Sequence, residues 1–130
     1  MKTLHVAAAM ILHGDRILAT QRGDGTMKGQ WEFPGGKQEP GEKPEETVVR
    51  EIREELDACI HVERKYFTLE YDYPEFHLSM DCFLCTLPDP GRMKLLEHQS
   101  ARWLTREELD DVPWLPADRE LIDYLKENWF

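Results

Sequence analysis

Three glutamates, Glu51, Glu54 and Glu55, crowd into the stretch REIREE, Arg50 to Glu55. On a helix at 100° per residue, Glu55 lies about 40° from Glu51 and Glu54 about 60° on its other side, so the three carboxylates fan across one sector. Two unit charges about 4 Å apart repel by roughly 4 kcal/mol at an effective dielectric near 20. Such crowding is tolerable only with water, arginine or a cation between the charges. Carboxylate ligands without nitrogen or sulfur suit the hard ions Mg2+ and Mn2+, which keep waters and complete their shell with phosphate oxygens. Taken alone, the cluster is more simply a solvated helix face laced by Arg50 and Arg53. Its neighbours change that balance.

Immediately upstream, RGDGTMKGQWEFPGGKQEPGEKP gathers most of the chain's glycines and three of its eight prolines. A loop this long inside a compact domain is usually functional, and glycine backbone lets phosphate approach closely. Arg22, Lys28, Lys37 and Arg50 place positive charge around it in a chain whose net charge is −10. That net charge argues against unaided attraction to DNA, RNA or an anionic membrane. It leaves room for a small anionic substrate bridged by a cation. Monomer and homodimer both remain open.

The elements that must position these residues read as follows. With 130 residues and 41% hydrophobic content, the chain suits one domain, 1–130. Thr3 to Leu12 and Ile17 to Gln21 are expected strands around the turn HGDR, and Trp31 to Phe33 is a short apolar piece within the Gly-rich loop. Pro44 to Leu56 has helical period: proline suits the first position, and Val48, Val49, Ile52 and Leu56 form one stripe opposite the glutamates. KYFTLEYDYPEFHLSMDCFLCTL reads as a second hairpin turning near Asp72 to Glu75, with Leu78, Met80, Cys82 and Leu84 on one face. Ala101 to Leu104 is a further strand. Thr105 and Glu108 have capping-box spacing for a short helix, and Asp118 is the expected cap of a last helix that turns Leu121, Ile122, Leu125 and Trp129 inward. The class is α/β or α+β, a mixed sheet covered by helices.

Cys82 and Cys85 form a CxxC, but an offset of three sends strand side chains to opposite faces, which disfavours zinc or redox chemistry. The N-terminal apolar run is broken by His13, Gly14 and Asp15 and is read as a core strand rather than a leader. With an odd number of cysteines and no stretch of membrane-spanning length, a cytoplasmic setting with reduced thiols is expected.

GKQEPGEKPEETVVREIREELDA, Gly36 to Ala58, resembles the Nudix box, G-x5-E-x7-R-E-U-x-E-E-x-G-U with U aliphatic. Gly36, Glu42, Arg50, Glu51, Ile52, Glu54 and Glu55 fall on its positions. Asp57 stands where the box has its last Gly, and Ala58 fills the final aliphatic slot. Asp tolerates left-handed backbone, so an altered helix exit with intact chemistry is expected. HVAAAMI, ILATQR, WEFPGGK, EHQSARW and LPAD are similar to pieces of MutT-type and CTP pyrophosphohydrolase-type members, which extends the resemblance over nearly the whole chain.

The resemblance implies a Nudix-type α/β/α sandwich around a mixed β-sheet, with the box at 36–58 as loop, helix and loop. It implies Mg2+-dependent hydrolysis, with Mn2+ as a substitute, of a nucleoside triphosphate to monophosphate and pyrophosphate. Carried over by position, Glu51, Glu54 and Glu55 would hold metal with the Gly35 carbonyl, and Glu97 aligns with a further carboxylate. Glu51 or Glu54 would orient or deprotonate the attacking water, and Arg50 would pin the carboxylates through Glu42. Arg22 is the candidate phosphate contact, Trp31 and Phe33 would flank the nucleotide with Pro34, Gly35 and Gly36 as further substrate-binding candidates, and Asp118 stands where such proteins read the base. An ionised Asp only accepts hydrogen bonds, which suits the exocyclic amine of cytosine. Together with EHQ this favours a CTP or dCTP type of substrate, with 8-oxo-dGTP close behind. Two other readings stay open: hydrolysis of nucleoside diphosphate sugars or ADP-ribose, and a catalytically silent nucleotide-binding module. Loss of a box glutamate would have favoured the silent module, and none is missing.

Overall fold

The computed structural model describes all 130 residues. Strand β1, Lys2–His13, is the spine of a seven-stranded mixed sheet. The other strands are β2, Arg16–Arg22; β3, Trp31–Glu32; β4, Gly35–Lys37; β5, His61–Asp72; β6, Phe76–Thr86; and β7, His98–Leu104. Helices α1, Pro44–Leu56, and α2, Pro116–Glu127, join two 3-10 segments, Pro90–Arg92 and Arg106–Asp111.

Side chains of β1 alternate between two cores, as the two-residue period of a strand requires. Ala7, Ala9 and Ile11 pack with Val48, Ile52 and Leu56 of α1. Ala8 and Met10 face the other way, towards Leu121, Ile122 and Leu125 of α2. One helix covers each face, which is the expected α/β/α sandwich. Val48, Ile52 and Leu56 are fully buried, and truncating such a side chain to Ala costs about 2–5 kcal/mol. The stripe that holds α1 down therefore also orients Glu51 and Glu54, whereas Glu55, expected opposite the stripe, is itself buried beside it, seven residues and so nearly two turns after Val48.

Sheet pairing opens the site. One edge of β1 is taken throughout by β6, in parallel. Along its other edge β2 pairs only at Leu12 and His13, and β4 takes over at Val6 to Ala8. Between them, the Ala9 N–H donates to the Pro34 carbonyl at 2.8 Å. Strand β2 meanwhile carries β7 on its far edge and β3 at Thr20 and Gln21. The sheet thus splits, and the split lies beside the Gly-rich segment.

Helix α1 occupies the expected residues, and Asp57 ends it in the left-handed region, φ 51° and ψ 44°. Elsewhere the boundaries move. Strand β5 starts at His61 rather than near Lys65, and its irregular pairing between Val62 and Arg64 and between Lys65 and Phe67 interrupts the alternation that would have marked it. Strand β7 starts at His98 rather than Ala101. Asp118 is not the cap of the last helix: that position is Leu115, with Pro116 first in the helix and Asp118 within its first turn. The shift follows from backbone bonds that stitch this entry to β3, Trp31 N–H to Pro113 O and Leu115 N–H to Trp31 O, both 2.8 Å. Trp129 lies beyond the helix end, partly buried against the core.

Thr105 and Glu108 do form a capping box, opening the 3-10 segment. Cys82 and Cys85 are buried in opposite cores, and all three cysteines are free thiols. No helix is long and apolar enough to cross a membrane.

Candidate active site

Arg50 organises the polar face of α1. Its Nε donates to Glu42 Oε2 at 2.8 Å and its Nη2 to Glu42 Oε1 and the Lys37 carbonyl, each at 3.1 Å. Its Nη1 reaches Glu51 Oε1 at 2.9 Å and Glu54 Oε2 at 3.3 Å. The guanidinium fork matches a carboxylate with two parallel bonds, which lysine cannot do. Glu42 also accepts from Thr47 Oγ1 at 2.6 Å. The Arg50 bond first, then that of Thr47, holds the Glu42 carboxyl down at about 2. One arginine therefore ties the loop before α1 to two of the three helix glutamates.

Glu55 behaves differently. It is buried, 4% exposed, and burial pushes its carboxyl well up, helped by a hydrogen bond to Glu51 and by the charges of Glu51, Glu32 and Glu97. The segment after the Pro90–Arg92 turn docks on the end of α1 through Lys94 N–H to Leu56 O, 2.8 Å, and Leu96 N–H to Glu55 O, 2.9 Å. Those bonds carry Glu97 and His98 to Glu55. The result is an acidic hollow of about 440 Å³ lined by Asp24, Glu32, Glu51, Glu55 and Glu97, with Arg22, His98 and Gly35 on its walls.

These residues suit a hard divalent cation. The donors are carboxylate oxygens, and the hollow concentrates more negative charge than its one arginine offsets. Gly36 makes space for one of them: a Cβ there would stand 2.4 Å from Glu51 Cδ. No three His, Cys, Asp or Glu side chains form a ready-made cage, and Arg50 lies between Glu51 and Glu54.

Next to the acidic hollow, and sharing Arg22, Glu32 and Gly35 with it, lies a more apolar cavity of about 390 Å³. Leu4, Val6 and Ala8 of β1 form its floor, with Phe33, Tyr73, Phe76 and Leu78 around it and Asp118 among its lining. Asp118 is 5% exposed, and its Oδ2 accepts from the Phe33 N–H at 2.9 Å. Burial pushes its carboxyl up to about 7; the Glu32 charge adds to this, while the Phe33 N–H and Arg22 oppose it. Phe33 itself is buried, with its ring 5.0 Å from that of Trp114.

Of the residues singled out in the sequence, Arg22, Gly35, Glu51, Glu55 and Glu97 meet at the acidic hollow, and Arg22, Phe33, Gly35, Gly36, Lys37 and Asp118 at the apolar one. Three stand apart. Glu54 is held by Arg50 with its side chain 53% exposed. Pro34 is buried, its carbonyl taken by Ala9, so it shapes the turn rather than lining a cavity. Lys28 is exposed and lines neither hollow. Glu32 and His98 were missed. The WEF and EHQ stretches contain them, but only the fold brings either to α1.

A mixed sheet between two helices, with a glutamate-rich helix behind a glycine-rich loop, defines a Nudix-type domain. The profile of the NUDIX domain family matches residues 6–124, and the chain belongs to that family of hydrolases. Nudix hydrolases generally use a divalent metal ion. The chain is 34% identical over 128 residues to the 8-oxo-dGTP diphosphatase of Escherichia coli (strain K12), covering 97% of this chain and 98% of that one. It is 33% identical over 136 residues to the CTP pyrophosphohydrolase of the same strain, covering 95% and 91%. Among solved structures, the E. coli ORF135 protein superposes with a TM-score of 0.82 at 31% identity, over 99% of this chain and 94% of that chain. The MutT protein from Methanosarcina mazei Go1 shares the fold, with a TM-score of 0.84 at 24% identity, over 99% and 97%.

Proposed function

We propose that this single domain, residues 1–130, is a Mg2+-dependent nucleoside triphosphate pyrophosphohydrolase of the nucleotide pool, releasing a nucleoside monophosphate and pyrophosphate. The observation that carries this reading is the junction of the two hollows at Arg22, Glu32 and Gly35. An acidic hollow suits cation-bound phosphates, and an apolar one with a single buried carboxyl suits a base. Relatives named for 8-oxo-dGTP and for CTP support the same substrate class.

In this reading Glu51, Glu54, Glu55 and Glu97, with the Gly35 carbonyl, hold the metal. Bound Mg2+ would neutralise phosphate charge and lower the pKa of the attacking water. Arg50 keeps Glu51 and Glu54 oriented, and one of these two glutamates orients or deprotonates that water. Arg22 ends β2 at the shared wall and contacts phosphate. Gly36 leaves room for Glu51, and the Phe33 N–H holds the Asp118 carboxyl in place.

Asp118 is the base reader. With its carboxyl near 7, both forms are populated at neutral pH. The ionised form accepts from the exocyclic amine of cytosine, and the protonated form adds a donor that an oxidised guanine can use. One residue thereby accommodates CTP or dCTP and 8-oxo-dGTP.

The test is a panel of canonical and oxidised (d)NTPs with Mg2+, assayed for pyrophosphate. Turnover of CTP, dCTP or 8-oxo-dGTP is expected. Hydrolysis confined to nucleoside diphosphate sugars or ADP-ribose, or none at all, overturns the proposal.

A further inference from the structure

His98 opens β7, opposite Arg22 of β2 and next to an irregularity in their pairing. Although it lies on the wall of the acidic hollow, its side chain is only 5% exposed. Its Nε2 stands 3.2 Å from Glu32 Oε2 and 3.5 Å from Glu55 Oε1. In the tautomer that carries its hydrogen on Nε2, His98 donates to either carboxyl group, both of which offer acceptor oxygens. The other ring nitrogen, Nδ1, is buried and has no partner. A histidine kept to fill the core would be expected to satisfy both nitrogens. This one has its only polar partners on the side that faces the acidic hollow.

The contacts continue in both directions. Glu32 presents its second oxygen, Oε1, to Arg22 Nη1 at 3.1 Å. Glu55 is held from behind by the backbone bond from Leu96, two residues before His98. Arg22, Glu32, His98 and Glu55 thus form one polar chain from the proposed phosphate contact to the most buried glutamate. A single N–H between two carboxylates serves only one of them at a time.

We infer that His98 is a positioning residue, whose Nε2–H aims Glu55 into the acidic hollow for a divalent cation and ties it through Glu32 to Arg22. The N–H goes to Glu32 when a cation takes Glu55, and it is shared between the two carboxylates otherwise. This inference rests on the cation-binding reading above. It assigns His98 no contact with the reacting atoms. Residues that orient metal ligands in this way typically change metal affinity or activity by about 10- to 100-fold when replaced.

Two amide variants separate the polar role from simple packing. In His98→Gln the side-chain nitrogen can take the place of Nε2; in His98→Asn it takes the place of the unpartnered Nδ1. Mn2+ binding to the nucleotide-free protein is measured by electron paramagnetic resonance, with circular dichroism and melting temperature as controls. H98Q is expected to bind Mn2+ within about 3-fold of wild type and H98N about 10-fold or more weaker. Wild-type affinity in H98N, or equal weakening in two folded variants, overturns the inference while leaving the proposed function standing. Wild-type protein that captures no Mn2+ without nucleotide overturns the inference, and one that captures none with nucleotide present either overturns both. Should H98N fail to fold, the wild-type protein still decides the matter: the His98 Nε2–H resonance must shift saturably as Mg2+ is titrated, and a resonance that stays fixed refutes the inference.

Discussion

Asp118→Asn isolates the consequence of burying one carboxyl in the apolar cavity. The substitution keeps an acceptor for the Phe33 N–H, which donates to Asp118 Oδ2 at 2.9 Å, and removes the ability to ionise. In the folded protein burial raises this carboxyl from its ordinary 3.8 to about 7. The fold therefore binds the proton more tightly than the unfolded chain does. The corresponding stability is fully present below pH 4, is lost as pH rises through about 7, and is constant above. Each tenfold difference in proton affinity is worth about 1.4 kcal/mol, so the whole effect is roughly 4 kcal/mol. Urea unfolding of both proteins in EDTA, from pH 4 to pH 8, reads it directly. All other titrating groups are common to the two proteins and drop out of the difference. D118N is expected to gain roughly 4 kcal/mol on wild type across that interval. A difference that stays flat with pH, or that moves in favour of wild type, would show that the Phe33 N–H and Arg22 hold the folded carboxyl as an anion. The two-state account of base selection would then fail.

Arg50→Lys keeps the charge and loses the fork to Glu42 at 2.8 and 3.1 Å; pyrophosphate release is expected to fall by about 10- to 100-fold with the fold intact, and an unchanged rate refutes the orienting role. Glu55→Gln removes a buried carboxylate, so in EDTA at pH 8 its melting temperature should exceed that of wild type, while turnover and the Mg2+-induced thermal shift disappear. An active, well-folded E55Q would remove Glu55 from the ligand set. Gly35→Ala and Gly36→Ala should part company. A Cβ at Gly35 stands 2.1 Å from the Ala7 carbonyl, so the β1–β4 pairing must give way, at about 1–3 kcal/mol in urea denaturation. A Cβ at Gly36 instead meets the Glu51 side-chain carboxylate at 2.4 Å rather than backbone, so stability should hold while turnover falls, and a fully active G36A contradicts the placement of Glu51.

Helix α1 was legible because its signals are local: Pro44 at the start, the Val48, Ile52 and Leu56 stripe, and Asp57 in left-handed backbone at the end. The Arg50–Glu42 pair was legible for a similar reason, since eight residues separate its members within one motif. What could not be read is set by long-range pairing. The Asp118 carboxyl is not a helix cap because Trp31, more than eighty residues earlier, fixes the backbone of Pro113 and Leu115 and moves the helix start to Pro116. Glu32 and His98 are separated by 66 residues and meet only through the pairing of β2 with β3 and β7. The first half of β5 escaped notice because its bulges break the alternation that marks a strand.

Charge explains why an acidic chain can take an anionic substrate. Five carboxylates line the hollow against Arg22 and His98, so a triphosphate entering alone meets net repulsion. A divalent cation reverses that sign locally, and its strength there is greatest where burial excludes water, at Glu55. Arg50 works against the same ion: its Nη1 lies between Glu51 and Glu54, offsetting their repulsion in the free protein and competing for their oxygens. In the proposed reading this competition would limit how tightly the site holds metal by itself, and phosphate oxygens would complete the coordination. An acidic face restrained by one arginine is thus better suited to a metal–nucleotide pair than to either component alone.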